Sequence, residues 1–192
     1  RQVKTGADMR DIARGHGARR VVYGGFSAGA LSALVAARLD ERSAGVLGLD
    51  LVDNGGIGIG MARGLDRPLI GLWGDPGRCN AEGNGRQVFA SAPQGRLTAI
   101  PGASHCDFES PTDALCEVLC DGDRPGSWGR RQEILRRSVL AVAGLLAGPN
   151  PTSADTAGRE KRTGTHFPSR TTDGVCIPGS DPPSANAHCS LA

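Results

Sequence analysis

Lysine is almost missing from this 192-residue chain, which carries it at Lys4 and Lys161 alone. Positive charge therefore rests on arginine. The arginines are scattered, adjacent only at positions 19–20, 130–131 and 136–137. That distribution reads as compositional bias, not as a phosphate-binding surface. A net charge of +2 carries no strong pull toward nucleic acid, and no nucleic-acid partner is expected. Long apolar runs are missing as well. None approaches the roughly 18 residues of a membrane-crossing helix, so no transmembrane segment is expected. No two cysteines form a C-x2-C pair. There is no initiator Met, no apolar stretch of a signal peptide and no opening strand.

What remains is long enough for one domain with a real core. Residues 5–16 read as a helix, with Thr5 at the N-cap and Met9, Ile12 and Ala13 as its apolar stripe. Short apolar runs at 19–24, 46–52, 68–73 and 96–100 read as buried strands. Helical patterns fill 28–40 and 111–120, more weakly 84–91, and most strongly 128–147. There Ile134, Leu135, Val139, Val142, Leu145 and Leu146 form an amphipathic stripe. Strands alternating with helices predict an α/β fold with a parallel sheet covered by helices. From residue 148 to 192, proline, serine and threonine replace the apolar pattern, and a disordered tail is expected. The folded part is therefore placed at 1–147.

The chemistry-bearing motif is Gly25-Phe26-Ser27-Ala28-Gly29, lying between the first strand and the helix that follows it. So tight a turn puts Ser27 at strained dihedrals with its Oγ above the sheet. Gly25 and Gly29 are expected where a Cβ would collide with neighbouring backbone. The N-terminus of the following helix leaves N–H groups free, and that of Ala28 would face a developing oxyanion. A serine nucleophile needs a base, and the base needs an orienting carboxylate. Of the four histidines, His16 ends a helix and His166 and His188 lie in the tail. His105 follows the last strand in a loop, where an imidazole can be laid over Ser27. Asp50 and Asp75 each close a strand, 55 and 30 residues before His105. Either carboxylate is placed to reach Nδ1.

Strand, G-x-S-x-G and helix in this order resemble the nucleophile elbow of α/β-hydrolases, with the triad in the order Ser, acid, His. Gly48-Leu49-Asp50-Leu51-Val52-Asp53 is similar to the G-x-D-P-V segment of chlorophyllases, and His105-Cys106-Asp107 to their H-x-D segment. The Ser27, Asp50, His105 spacing also resembles plasma platelet-activating-factor acetylhydrolases. Gly102-Ala103-Ser104-His105 and the Asp75 spacing resemble the dienelactone-hydrolase-like and bacterial polyester-hydrolase branch instead. Leu51 stands where chlorophyllases have Pro, and Phe26-Ser27-Ala28 where they have His-Ser-Arg, which argues against chlorophyll dephytylation. The resemblance covers roughly residues 5–147. It implies a serine hydrolase of carboxylic esters, small or lipid, with no cofactor. Ser27 would be the nucleophile, His105 the base, Asp50 the preferred acid, Asp75 the alternative, and Ala28 an oxyanion donor. Four strands normally precede the elbow strand in that fold, so the chain is expected to be its C-terminal part. The second oxyanion donor would then lie upstream. The competing reading is a catalytically incomplete hydrolase-like fragment, or a non-catalytic hydrolase-like domain that serves binding.

Six cysteines, Cys79, Cys106, Cys116, Cys120, Cys176 and Cys189, permit disulfides and favour a secreted or periplasmic setting, with a cytoplasmic one still open. Cys116 and Cys120 are one helical turn apart. Buried thiols, or a disulfide to Cys79 or Cys106, are preferred over a metal site. Gly55-Gly56-Ile57-Gly58-Ile59-Gly60 lacks the G-x-G-x-x-G spacing of a dinucleotide site and reads as a flexible loop. Trp73 and Trp128 read as core or interface residues. Asp53 and Asp75 have the chemistry of turns, and Asp107 reads either as a brace that hydrogen-bonds the backbone of the histidine loop or as a plain surface residue.

Overall fold

A computed structural model describes residues 1–112, 114–120 and 125–148. Four strands, β1 (Val21–Phe26), β2 (Ser43–Leu49), β3 (Leu69–Trp73) and β4 (Gly95–Ala99), form an all-parallel sheet in the order β1-β2-β3-β4. The register runs Phe26 to Leu49, Leu49 to Leu72 and Leu72 to Thr98. Each parallel step needs a crossover. These are α2 (Ala28–Leu39), α3 (Ile57–Arg63) and α4 (Arg86–Ser91), while α1 (Gln2–Gly15) precedes β1 and α5 (Ala114–Leu119) and α6 (Ser127–Ala147) follow β4. The strands thus lie in chain order with helices between them, the predicted α/β class.

After Ser43, β2 is apolar, and it is buried over nearly its whole length, as a central parallel strand covered on both faces should be. α2 is apolar apart from Ser32 and Arg38 and is buried from Ala30 to Ala37, which its position between sheet and α1 requires. Gly6 lets α1 approach it: a Cβ there would lie 2.7 Å from Val35 Cβ. Leu31, Leu34, Val46, Leu65, Leu69 and Val88 form the main core. Leu72, Ile100, Phe108 and Ile134 form a second cluster between the C-terminal strand ends and α6.

Several elements differ from the sequence pattern. α1 starts at Gln2 with Arg1 at its N-cap, and Thr5 lies inside the helix with its hydroxyl donating to Arg1 O at 3.3 Å. Ile12 is exposed. β1 runs two residues later than expected because Gly25 and Phe26 continue its pairing with Gly48 and Leu49. Of residues 55–60, expected in a loop, 57–60 lie within α3. Asp53 accounts for it: its Oδ1 accepts from the N–H of Gly58 at 2.8 Å, a helix-start contact made by a residue read as turn chemistry. Of the α6 stripe, Ile134 and Leu145 are buried, but Leu135, Val139 and Leu146 are exposed. Trp128 is 76% exposed and so is no core residue. The tail predicted to be disordered lies outside the described residues, apart from Gly148.

β1 ends the sheet. Among the described residues its outer edge pairs with no strand, and its faces are only partly covered. No helix among the described residues is long and apolar enough to cross a membrane.

Candidate active site

Ser27 sits between β1 and α2 at φ 55°, ψ −128°. A non-glycine residue at positive φ costs about 1–3 kcal/mol and persists only where its surroundings impose it. Here the Ser27 N–H extends the sheet by donating to Leu49 O at 2.9 Å, while its carbonyl accepts from Ala30 N at 3.1 Å. Gly25 is indispensable to this turn, since a Cβ would lie 2.4 Å from Gly29 O. Gly29 differs from expectation: a Cβ on it meets nothing within 4 Å among the described residues. Ala28 is the first residue of α2, so its N–H has no intrahelical acceptor.

His105 lies in a 3₁₀ turn (His105–Phe108) after β4. Its Nε2 is 3.1 Å from Ser27 Oγ, and its Nδ1 is 2.6 Å from Asp50 Oδ2. An ionised carboxylate only accepts, so Nδ1 carries the proton and Nε2 offers its lone pair to the serine hydroxyl. Phe26 packs on the imidazole with ring centroids 4.5 Å apart. Asp50 itself stands at φ 42°, directly after β2, and is 1% exposed. Its Oδ1 accepts from Gly74 N–H at 3.0 Å, and the Asn80 amide donates to both oxygens at 3.4 and 3.2 Å. Ser27, His105 and Asp50 are thus brought into one hydrogen-bonded chain. Asp75 is not part of it: its side chain is exposed, and its backbone N–H donates to Ala103 O at 2.9 Å.

The histidine turn is braced from α6. Asp107 is buried, and its carboxylate accepts from Ser104 N–H at 2.9 Å, from Arg130 Nε at 2.9 Å and from the Ser127 hydroxyl. Burial pushes its carboxyl up, but these donors and the Arg130 charge together hold it below the usual carboxylate range. The bracing role that the H-x-D segment allowed is the one Asp107 has here.

From the sequence, the Cys79-Asn80 segment lies near the end of a core strand, where it could border the pocket. Both residues do line the cavity beside His105, but the sequence assigns Asn80 no hydrogen-bonding role. Asn80 is 1% exposed, and every hydrogen-bonding atom of its amide is used. Nδ2 donates to Asp50 and to Asp75 O at 2.9 Å, and Oδ1 accepts from Gly77 N at 2.8 Å and Gly83 N at 3.1 Å. Its only signal was its position just beyond β3. The turn that carries it, Arg78–Gly83, puts Ala81 and Glu82 at positive φ, which no apolar periodicity reveals.

Cysteines surround the site. Cys79 is bonded to Cys120 and Cys106 to Cys116, with Cα atoms 5.6 and 5.8 Å apart. The sulfurs of Cys106, Cys116 and Cys120 lie within 4.8 Å of one another. Bonded as disulfides, they offer no thiolate to a metal. Beside His105 opens a cavity of about 290 Å³, bordered by Asp75, Arg78, Ser104, Val118 and Leu119. A larger cavity of about 780 Å³ lies at the opposite, N-terminal ends of the strands and shares no residue with this site. Comparison with protein-family models, with curated proteins and with solved structures finds no match for the chain.

Proposed function

We propose that this chain carries the catalytic residues of a serine hydrolase that cleaves carboxylic esters, small or lipid, without a cofactor. The observation behind the proposal is the continuous contact from Asp50 through His105 to Ser27, with the serine on a strained turn at a helix N-terminus. Ser27 Oγ attacks the ester carbonyl while His105 Nε2 takes its proton. Asp50 stabilises the imidazolium, and the Ala28 N–H receives the charge that develops on the carbonyl oxygen. Collapse of the tetrahedral intermediate breaks the ester C–O bond, and His105 returns the proton to the leaving alcohol. Water, deprotonated by the same imidazole, then releases the acid from Ser27.

The proposal includes an α/β-hydrolase fold whose sheet continues across the outer edge of β1. That bare edge and the exposed Leu135, Val139 and Leu146 of α6 support it, since a parallel sheet is ordinarily covered on both faces. The loop after an added strand would bring the second oxyanion donor. A non-catalytic domain of the same fold is the rival reading, favoured by the single oxyanion donor found among the described residues. An organophosphonate ester probe on the full-length protein separates the two. The hydrolase labels at Ser27, and Ser27→Ala abolishes labelling. Labelling at another serine, surviving in that variant, sinks the assignment.

A further inference from the structure

Each disulfide has one end beside a residue of the candidate site. Cys106 directly follows His105, and Cys79 directly precedes Asn80, the amide that holds Asp50. Their other ends share one element. Cys116 lies in α5, and Cys120 follows it by one turn, its N–H donating to Cys116 O at 2.9 Å. A spacing of four puts both on the same side of that helix.

Among the described residues, few other contacts fix α5. Six residues are too few for a helix to be stable on its own. Val118 is 79% exposed and Leu119 50%. The ion pair from Glu117 to Arg131, at 3.4 Å, is partly exposed on both sides and so contributes little. The covalent bonds are therefore the main connection between α5 and the segments bearing His105 and Asn80. Ser127 and Arg130 of α6 hold the histidine turn separately, through Asp107. The Arg78–Gly83 turn has Ala81 and Glu82 at positive φ, a conformation that relaxes when its restraints go.

We propose that α5 with its two disulfides is a covalent clamp that positions His105 and, through Asn80, Asp50, so that the site works only in its oxidised state. This rests on the serine-hydrolase reading. Asn80 is a positioning residue: it acts through the acid and does not touch the reacting atoms. The clamp opens by thiol–disulfide exchange with a dithiol. One thiolate attacks a disulfide sulfur and forms a mixed disulfide. The second thiol then closes the ring and releases the remaining cysteine. Per disulfide, two electrons and two protons pass to the protein, giving two thiols, and the dithiol becomes a cyclic disulfide. Displacing a catalytic group by about 1 Å costs about 10²-fold in rate, and that is the loss expected on opening.

The test uses the full-length protein before and after dithiothreitol, with disulfide state read by mass spectrometry and fold by thermal unfolding. Ester turnover reports the site. The downfield proton resonance of the His105 Nδ1–H bond to Asp50 reports its geometry independently of activity. On reduction, kcat falls about 10²-fold, the resonance is lost, the unfolding transition stays cooperative, and reoxidation restores both signals. Paired variants Cys79→Ser/Cys120→Ser and Cys106→Ser/Cys116→Ser each show part of the loss. Asn80→Ala lowers kcat with KM unchanged. Full kcat and an intact resonance in reduced, folded protein overturn the clamp. So does complete unfolding on reduction, because the clamp acts on the site alone. If the oxidised protein fails to label at Ser27 but its resonance still answers to reduction, the hydrolase reading falls and the clamp stands.

Discussion

Asp50→Asn tests the proposed mechanism where it depends most on tertiary geometry. Asp50 Oδ1 accepts from the backbone N–H of Gly74 at 3.0 Å, a donor that cannot turn around. The substituted amide must therefore put its oxygen there, where Asn80 Nδ2 at 3.4 Å can still donate to it, although the 3.2 Å donation to the Oδ2 position is lost. Its NH₂ then occupies the place of Oδ2, 2.6 Å from His105 Nδ1. A donor facing Nδ1 forces the imidazole proton onto Nε2, which now presents N–H to Ser27 instead of a lone pair. The opposite amide orientation restores the tautomer but sets NH₂ against the Gly74 N–H, a buried clash worth about 1–3 kcal/mol. The base is lost in the favoured arrangement. The expected loss in kcat is about 10⁴-fold, the scale for a triad acid. At about 1.36 kcal/mol per decade, that is roughly 5.4 kcal/mol of transition-state stabilisation. KM should change little, because the amide keeps the shape of the carboxylate. The assay is hydrolysis of a short-chain p-nitrophenyl ester by the full-length protein, with Asp75→Asn as control. Asp75 has an exposed side chain, and its substitution should change kcat by no more than about twofold. A loss below tenfold for Asp50→Asn refutes the reasoning. A larger loss for Asp75→Asn moves the acid to that residue.

The two glycines of the elbow should behave oppositely. Gly25→Ala drives a Cβ into backbone at 2.4 Å and should destabilise by more than the 1–3 kcal/mol typical of overpacking. Gly29→Ala, in open space within α2, should gain about 0.5–1 kcal/mol. Equal denaturation midpoints for the two variants contradict this. Asp40 accepts hydrogen bonds from Arg42 at 2.8 and 3.0 Å, which hold its carboxyl well below the usual range against the push of burial, helped by Tyr23 OH at 2.6 Å. A depressed folded-state value makes this contribution complete above the unfolded value near pH 4 and lost as pH falls through the folded one. The stability gap between the native protein and Asp40→Asn should narrow on acidification, and a gap constant from pH 7 to 3 argues against it. Residues 1–192 purified alone, in which the outer edge of β1 pairs with no strand among the described residues, should self-associate and lack esterase activity. A monomer with a sharp unfolding transition and Ser27-dependent turnover would overturn the proposal that the sheet continues past β1.

The α/β class and the strand–turn–helix around Ser27 were legible in the sequence because both are local. Apolar runs too short for helices alternate with helical periodicity, and a glycine-flanked serine between them leaves one tight path for the backbone. Gly25 is an example: the contact that demands it lies four residues away. The α3 helix was hidden because glycines at 56, 58, 60 and 64 mask its pattern, while the carboxylate that starts it, Asp53, is a common turn residue. Burial of the α6 stripe depended on what packs against it, which periodicity does not state. Pairing of the four described cysteines, and the selection of Asp50 over Asp75 as the partner of His105, came from tertiary structure alone. Spacing leaves both carboxylates at strand ends. Only the folded backbone decides that one points under the imidazole while the other faces solvent. Asn80 is the clearest case. Its contacts to Asp75, Gly77 and Gly83 are local, but its hold on Asp50, 30 residues away in sequence, exists because a turn with two positive φ angles folds back beneath that carboxylate. No local pattern encodes such a contact; it follows from where the sheet places its strand ends.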